Sequence, residues 1–552
     1  MRVIPVGSGD NLQAALDAAA PGDVLALDAG ATFTGVFTLP PKSGVVTVTT
    51  NAPLPERRLG PADAALLPTL RSGSYESVLT GTGATHWRLD GLRFEANTGG
   101  HETLIALHEA VDITLDRILF VAPEATGQKR AVLGNGQSIT LTRSHLAGIW
   151  TDGADSQAFA AWDGAGPYTL VDNYLEAASE NILFGGADSA SADRIPSDIL
   201  IADNHLTKAV AWQGQAKVVK NLLELKCARR VTIRHNLLEN CWTDAQTGFA
   251  VLFTVRNQDG RAPWSTIEDV LFDGNTIRNS ENGINISGTD DERPSAQARG
   301  LVIRDNLIVV RDWLSLAGNE WTDCVVEHNT CFHGGPPQVV TTGLIWVAGD
   351  AARRPSAFAL QHVRWVNNCN YLNDYGFFGD SGVPWVDFIA GTVEMTHNAF
   401  AANRSGQTLP GDNWYPSAAE HEAQFAPGYT LRPESPYQTR ATDGGPLGQR
   451  PVAPVPPEPP EPEPAPPDTT DPAVAIVAVV RRGKSRQFEV TAEAFDTVGV
   501  ARVEFHVEAT LQAVLTLPPY IVTVRVPNRA TAITVRAVDG AGNVSDDTWA
   551  IR

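Results

Sequence analysis

Four short segments carry the side chains best suited to chemistry: NILFGG at 181–186, NLLELK at 221–226, VLFTVRN at 251–257 and GINIS at 283–287. Each alternates apolar with polar residues. That is the period of an extended strand, in which successive side chains leave opposite faces. With Ile182, Phe184, Leu223, Leu225, Val251, Phe253, Val255, Ile284 and Ile286 turned inward, the other face carries Asn181, Glu224, Lys226, Arg256 and Asn285. Stacked in register at a spacing of about 4.8 Å, these strands gather a carboxylate, an amine and a guanidinium. Such a set can move protons and steady a developing negative charge. A second chemistry, a pair of carboxyl groups flanking a scissile bond, is open to Glu180, Asp188, Glu224, Asp244 and Asp155. A third reading needs no chemistry, because Lys, Glu and Arg on a solvated sheet also make ion-pair ladders of little energetic weight.

More side chains collect around these segments. Lys129 and Arg130 lie in ATGQKR, Lys217, Lys220, Arg229 and Arg230 flank the central strand, and Asn257 follows Arg256. Trp150, Trp162, Trp212, Trp242 and Trp264 fall in loops or at strand ends of the same region. They offer flat apolar surfaces against which a ring can stack, or they anchor loops. Lys129, Arg130, Lys220, Asn257, Asn285 and Trp242 are the candidate substrate contacts.

A repeat must position these residues. YTLVDNYL, ILIADNHL, VTIRHNLL, VLFDGNTI, LVIRDNLI, CVVEHNTC, VRWVNNCN and VEMTHNAF each alternate and then reach an asparagine. The aligned residues are Asn173, Asn204, Asn236, Asn275, Asn306, Asn329, Asn368 and Asn398, 23 to 39 residues apart. Weaker copies upstream put Leu92, Ile118 and Ser144 at the same place. One short strand cannot bury its apolar side alone, but stacked coils bury a continuous core. The repeated Asn predicts a ladder of side-chain amides between coils. The expected fold is an all-β, right-handed parallel β-helix over residues 1–449.

The ends agree with this. GDNLQAALDAAAPGDVLAL reads as a short amphipathic helix, capped near Asp10 or Asn11 and stopped at Pro21-Gly22. It resembles the N-terminal cap of pectate-lyase-like β-helix proteins, which shields the first coil's open edge. Residues 429–448 resemble the segment that closes many such proteins. Residues 450–467 are rich in Pro and Glu and predict an extended spacer. Five short strand patterns then fill 468–552 as an antiparallel sandwich. DTVGVARVEF and AVDGAGNVS there resemble bacterial immunoglobulin-like modules, which implies export to the cell surface or beyond.

The chain has 552 residues and a net charge of −21. Such an acidic surface argues against nucleic acid as the main partner, since phosphate neutralisation needs basic surface. No apolar stretch reaches the ~18 residues of a membrane span. Met1 to Asp10 does not read as a signal peptide, so the expectation of export rests on the tail. Cys227, Cys241, Cys324, Cys331 and Cys369 are odd in number and fit no zinc spacing. Buried thiols are expected, with a Cys324–Cys331 bridge as the alternative.

The outward set of the four segments resembles the site of the alginate lyase and chondroitinase B family of β-helices. That resemblance implies Lys226 as the base that takes the proton beside a uronate carboxyl, with Arg256 assisting from the next coil. It implies Asn181 and Glu224 as ligands of Ca²⁺ held against the substrate carboxylate. The sequence departs from the family: ELK is shorter than its acidic run, and TVRNQDG only loosely follows its L-R-H-G. The β-helix polygalacturonases are a poorer match, because GTDD stands at 288–291 but no G-H-G follows. The expected function is a secreted polysaccharide-active protein, a lyase acting on an acidic glycan by β-elimination. A non-catalytic carbohydrate-binding, adhesive or filament-forming protein is the alternative, and a glycoside hydrolase the third.

Overall fold

The computed structural model describes residues 2–215, 217–333, 343–348, 359–379, 383–450, 471–482, 486–496, 500–516 and 520–551. The chain divides into two compact units, Met1–Val452 and Ala453–Arg552. The linker expected at 450–467 lies outside the described residues from position 451 onward.

The first unit is a right-handed parallel β-helix. Each coil contributes a strand to three parallel sheets. The first sheet holds the strands before the repeated asparagine, such as Ser197–Ala202, Ala228–Arg234 and Ile267–Asp273. The second holds those after it, such as His205–Thr207 and Leu237–Cys241. The third holds Gln157–Ala161, Glu180–Phe184, Leu223–Leu225, Phe249–Thr254, Asn282–Ser287 and their neighbours. Pairing is in register, with Ile199 beside Val231, Val270 and Leu301 in turn. All four are buried, so each coil adds one layer to the same apolar column.

From Gly91-Leu92 onward, the corner between the first and second sheets has two residues in every described coil. The first takes a left-handed backbone: Arg117, Arg143, Asp172, Asp203, His235, Gly274, Asp305, His328, Asn367 and His397 all have φ between 48° and 65°. The second is the ladder residue. Asn173 Nδ2 donates to Asn204 Oδ1 at 2.9 Å, and the pattern repeats through Asn236, Asn275, Asn306, Asn329, Asn368 and Asn398 to Asn413. Each Oδ1 also accepts the main-chain N–H of the ladder residue one coil earlier. These buried amides therefore keep their hydrogen bonds without water. From that coil onward, variation in coil length falls at the other two corners, on either side of the third sheet, whereas residues 51–68 lengthen the first–second corner of an earlier coil.

Both ends of the stack are closed. The helix Leu12–Ala18 is capped by Asn11, whose side chain accepts from Ala14 N, and it buries Leu12 and Leu16. After Ala399–Ala401 the chain turns back, packing Phe425, Tyr437 and Leu447 against Phe332 and Tyr371. Arg450 then pairs with Asp305 at 3.0 Å. All five cysteines are buried free thiols.

In the second unit, Ala473–Arg482, Gln487–Phe495 and Tyr520–Arg525 form one antiparallel sheet. Val500–Val507, Thr510–Leu515, Ala532–Asp539 and Val544–Ala550 form another. Val490, Val503, Phe505, Ile533 and Val535 are buried between them. This arrangement is compatible with an immunoglobulin-like sandwich.

Candidate functional site

The third sheet is preceded by connections at 150–156 and 242–248 and followed by longer ones at 185–196, 255–266 and 288–298. Leu183, Glu224, Leu252 and Asn285 occupy one register column across four coils. Arg256 N donates to Lys226 O at 3.0 Å, which places those residues side by side on adjacent coils. Gly185 lies one coil earlier, at φ 114°. A Cβ there would fall 2.5 Å from Lys226 Cβ, so glycine is what lets the lysine lie against the preceding coil.

The charges on this face are paired. Lys226 Nζ lies 3.8 Å from Glu224 Oε1, and Asn221 Nδ2 donates to Glu224 Oε2 at 3.2 Å. Arg256 Nη1 reaches Asp291 at 2.6 Å. Arg229 lies 3.6 Å from Glu268. Glu224, Lys226, Arg256 and Asn285 thus share one face, as strand alternation predicts, with Glu224 buried and Asn285 half-buried.

Asn181 is a correction. It is fully buried, and its Nδ2 donates to Leu175 O and Thr207 O, both at 2.6 Å. The alternation fails at the corner: Asn181 turns inward ahead of the inward Ile182, and Glu180 takes the outer face. Asn257 is a second correction. Its Oδ1 accepts from Ala262 N and its Nδ2 donates to Pro294 O, so it ties its own loop to that of the next coil. Trp242 packs with Trp150 and Trp212 in a small cluster. Lys129 is half-buried, and its main-chain N–H donates to Gly100 O at 2.6 Å. Among the other acids, Asp188 caps the main-chain N–H groups of Asp259 and Arg261, and Asp244 that of Val219.

Glu180 is the unusual group of this face. Its side chain is 1% exposed. Oε2 accepts from Gln157 Nε2 at 2.8 Å, and Gln157 Oε1 accepts from Arg130 Nε at 2.8 Å. Arg130 in turn lies over the Trp162 ring. Oε1 has no hydrogen-bond partner, and its nearest cation, Lys220 Nζ, stands 3.6 Å away. Lys220 bonds Asp155 at 2.5 Å, and Asp155 is half-exposed. Burial, reinforced by the charges of Glu224 and Asp155, pushes the Glu180 carboxyl up to about 7. Lys220 is raised: burial opposes its charge, but Glu180 and Asp155 outweigh that.

A second buried ionisable group, which strand alternation does not single out, sits behind Glu180. Lys208 Nζ donates to the carbonyls of Ala177 (3.0 Å), Ala178 (2.8 Å), Ser179 (3.0 Å) and Asn221 (2.9 Å), and to Asn181 Oδ1 at 3.3 Å. Burial draws its pKa down to about 8. In HLTKAV it looks like an ordinary surface lysine, and its only signal is the apolar run that follows.

The residues expected to hold Ca²⁺ do not fit that ion. Asn181 is turned into the core with its carbonyl oxygen on an ammonium, and Glu224 is bracketed by Lys226 and the Asn221 amide. Among the described residues no group of three or more His, Cys, Asp or Glu side chains could hold a metal.

No family model matches the chain, and no curated protein does. Solved structures with related architecture include a XylC–xylose complex, at 8% identity and TM-score 0.40, covering 75% of this chain and 86% of that one. The alginate lyase AlyGC, of the PL6 family, aligns at 13% identity and TM-score 0.42 over 81% of this chain. This chain spans 58% of its length. A mutant tailspike protein of the E. coli bacteriophage HK620, in complex with a pentasaccharide, aligns at 10% identity and TM-score 0.39 over 99% of this chain and 90% of that one. At these identities no residue role is carried across.

Proposed function

We propose that the chain cleaves a glycan by proton transfer at the outer face of the third sheet, with Glu180 as the acid and Glu224 as its companion carboxylate. The observation behind this is Glu180: a carboxyl group shut away from water, with one oxygen unpartnered, whose pKa burial and the neighbouring Glu224 charge push upward. That is the state of a group that can hold a proton at neutral pH and give it to a leaving oxygen. Two carboxyl groups in unlike surroundings are the usual equipment of glycoside hydrolysis. Lys220, held by Asp155, stands 3.6 Å from the unpartnered oxygen.

The loops beside the third sheet would hold the glycan. Lys220, Lys226, Arg229 and Arg256 all face carboxylates of the chain itself. Their charge is already neutralised, which favours a neutral glycan over a polyanion. A specific observation favours β-elimination as the second reading: Lys226 and Arg256 are direct neighbours on adjacent coils. Elimination also gains from an acid that protonates the leaving oxygen, so Glu180 has a place in both.

The test is incubation of the purified protein with a panel of neutral and acidic polysaccharides, following both reducing ends and absorbance near 235 nm. New reducing ends without absorbance, lost in Glu180→Gln, support hydrolysis. A rise in absorbance lost in Lys226→Ala supports elimination on an acidic glycan. Neither signal on any polymer refutes cleavage and leaves a binding surface.

A further inference from the structure

Lysine is rarely buried without a carboxylate partner. Lys208 is buried with none within hydrogen-bond reach; five oxygens surround its ammonium instead. Three of them are the successive carbonyls of residues 177–179, the corner that leads directly into Glu180. The fourth is the side chain of Asn181, the residue after Glu180. The fifth is the carbonyl of Asn221, on the next coil, between Lys220 and the strand that bears Glu224. Glu180 and Lys220 thus stand on backbone gathered around one positive charge.

The corner has other ties. Ser156 N donates to Ser179 Oγ at 3.0 Å, Ser179 Oγ donates to Val218 O at 2.9 Å, and Lys220 N donates to Ala178 O at 3.2 Å. None of these explains why three successive carbonyls converge. Main-chain carbonyls that point together repel one another, and a cation among them offsets that repulsion through charge-assisted hydrogen bonds. Turning Asn181 inward to complete the cage is also what breaks strand alternation and sets Glu180 on the outer face.

We infer that Lys208 is a positioning residue: an internal ammonium that fixes the corner at residues 177–181 so that Glu180 is presented, buried and partly unpartnered, beside Glu224. This rests on Glu180 being the acid proposed above. Lys208 lies behind the sheet and touches no substrate.

The test uses denaturation rather than activity, so its failure is distinguishable from failure of the cleavage reading. Glu180→Gln removes a charge that the folded site resists, so its gain in Tm should be near zero at pH 4 and clear at pH 7, where Lys208 still carries its charge. The groups facing Glu180 are Glu224, Asp155, Lys220 and Arg130, with Lys208 behind and Cys241 beside Lys208. The same comparison is made in a Lys208→Met background, or in Lys208→Gln, which keeps two N–H donors for the cage, if the methionine variant does not fold. If Lys208 positions Glu180, the corner relaxes, water reaches the carboxyl, and the gain at pH 7 falls at least two-fold. A gain that is unchanged or larger overturns the inference, because Lys208 then supports the fold or acts only through its charge.

Discussion

Replacing Glu180 with glutamine should stabilise the protein, and only above the acidic range. The Glu180 side chain is buried, and its pKa rises from 4.5 to about 7. A raised folded-state pKa means that the native state holds this proton more tightly than the unfolded chain. The associated stability is fully present below pH 4.5 and is lost as pH rises through 7. Above that, the native protein carries a cost of about 3 kcal/mol, at 1.36 kcal/mol per tenfold change in proton affinity. Glutamine has no proton to lose and escapes the cost, while its amide oxygen can still accept from Gln157. With about 2.1 cal/mol/K of unfolding entropy per residue, a unit the size of Met1–Val452 should shift by roughly 1 °C per kcal/mol, hence by about 3 °C. The assay is thermal unfolding of both proteins by circular dichroism at pH 4, 6, 7 and 8.5. The gain should be near zero at pH 4 and level off by pH 8.5. A gain independent of pH, or a loss at pH 8.5, refutes the reasoning. Glu180 would then be a structural acceptor for Gln157 and not a strained acid.

Three further outcomes follow from the same geometry. Asn236→Ala, in the middle of the ladder, strands buried partners on both adjacent coils and should cost about 2–4 kcal/mol, whereas Asn413→Ala at its half-buried end should cost under ~1 kcal/mol; chemical denaturation compares them. Gly185→Ala puts a methyl group against Lys226 Cβ at a backbone angle that L-residues resist, and should cost about 1–3 kcal/mol and abolish any cleavage that depends on Lys226; unfolding and the glycan assay report on each. Burial pushes the Cys241 thiol up to about 11 and raises the other four, so no thiol should react with an aromatic disulfide reagent at pH 8 until the protein unfolds; absorbance of the released thiolate counts them.

The fold is legible in the sequence because the coil repeats and its rule is local. Alternation places Ile199, Val231 and Val270 inward, and the repeated Asn marks the corner that the ladder occupies. The same rule places Glu224, Lys226, Arg256 and Asn285 on one face, since all lie within or just after regular strands. It misplaces Asn181 because the second residue of a strand, next to the corner, is held by hydrogen bonds to Leu175 O, Thr207 O and the Lys208 ammonium that override the strand period. It passes over Lys208 because burial of a lysine depends on carbonyls brought together from residues 177–179 and 221, which no local pattern announces. Asn257 is misread for a related reason: its contacts run to residues 262 and 294, in loops whose path the alternation does not describe.

The constant two-residue corner has an evolutionary corollary. Its φ > 0 position accepts Arg, Asp, His, Asn or Gly alike, and each ladder asparagine bonds its equivalents on the coils before and after. A whole coil is therefore self-compatible: duplicated or deleted at that seam, it presents its neighbours with the same amide and the same inward column. The rod can change length by unequal recombination without redesigning its core. Beyond the first coils, insertions meanwhile accumulate at the two loose corners, which border the third sheet. Architecture and specificity can thus drift separately, with the seam preserving the scaffold while the walls around Glu180 are free to be rewritten for another ligand.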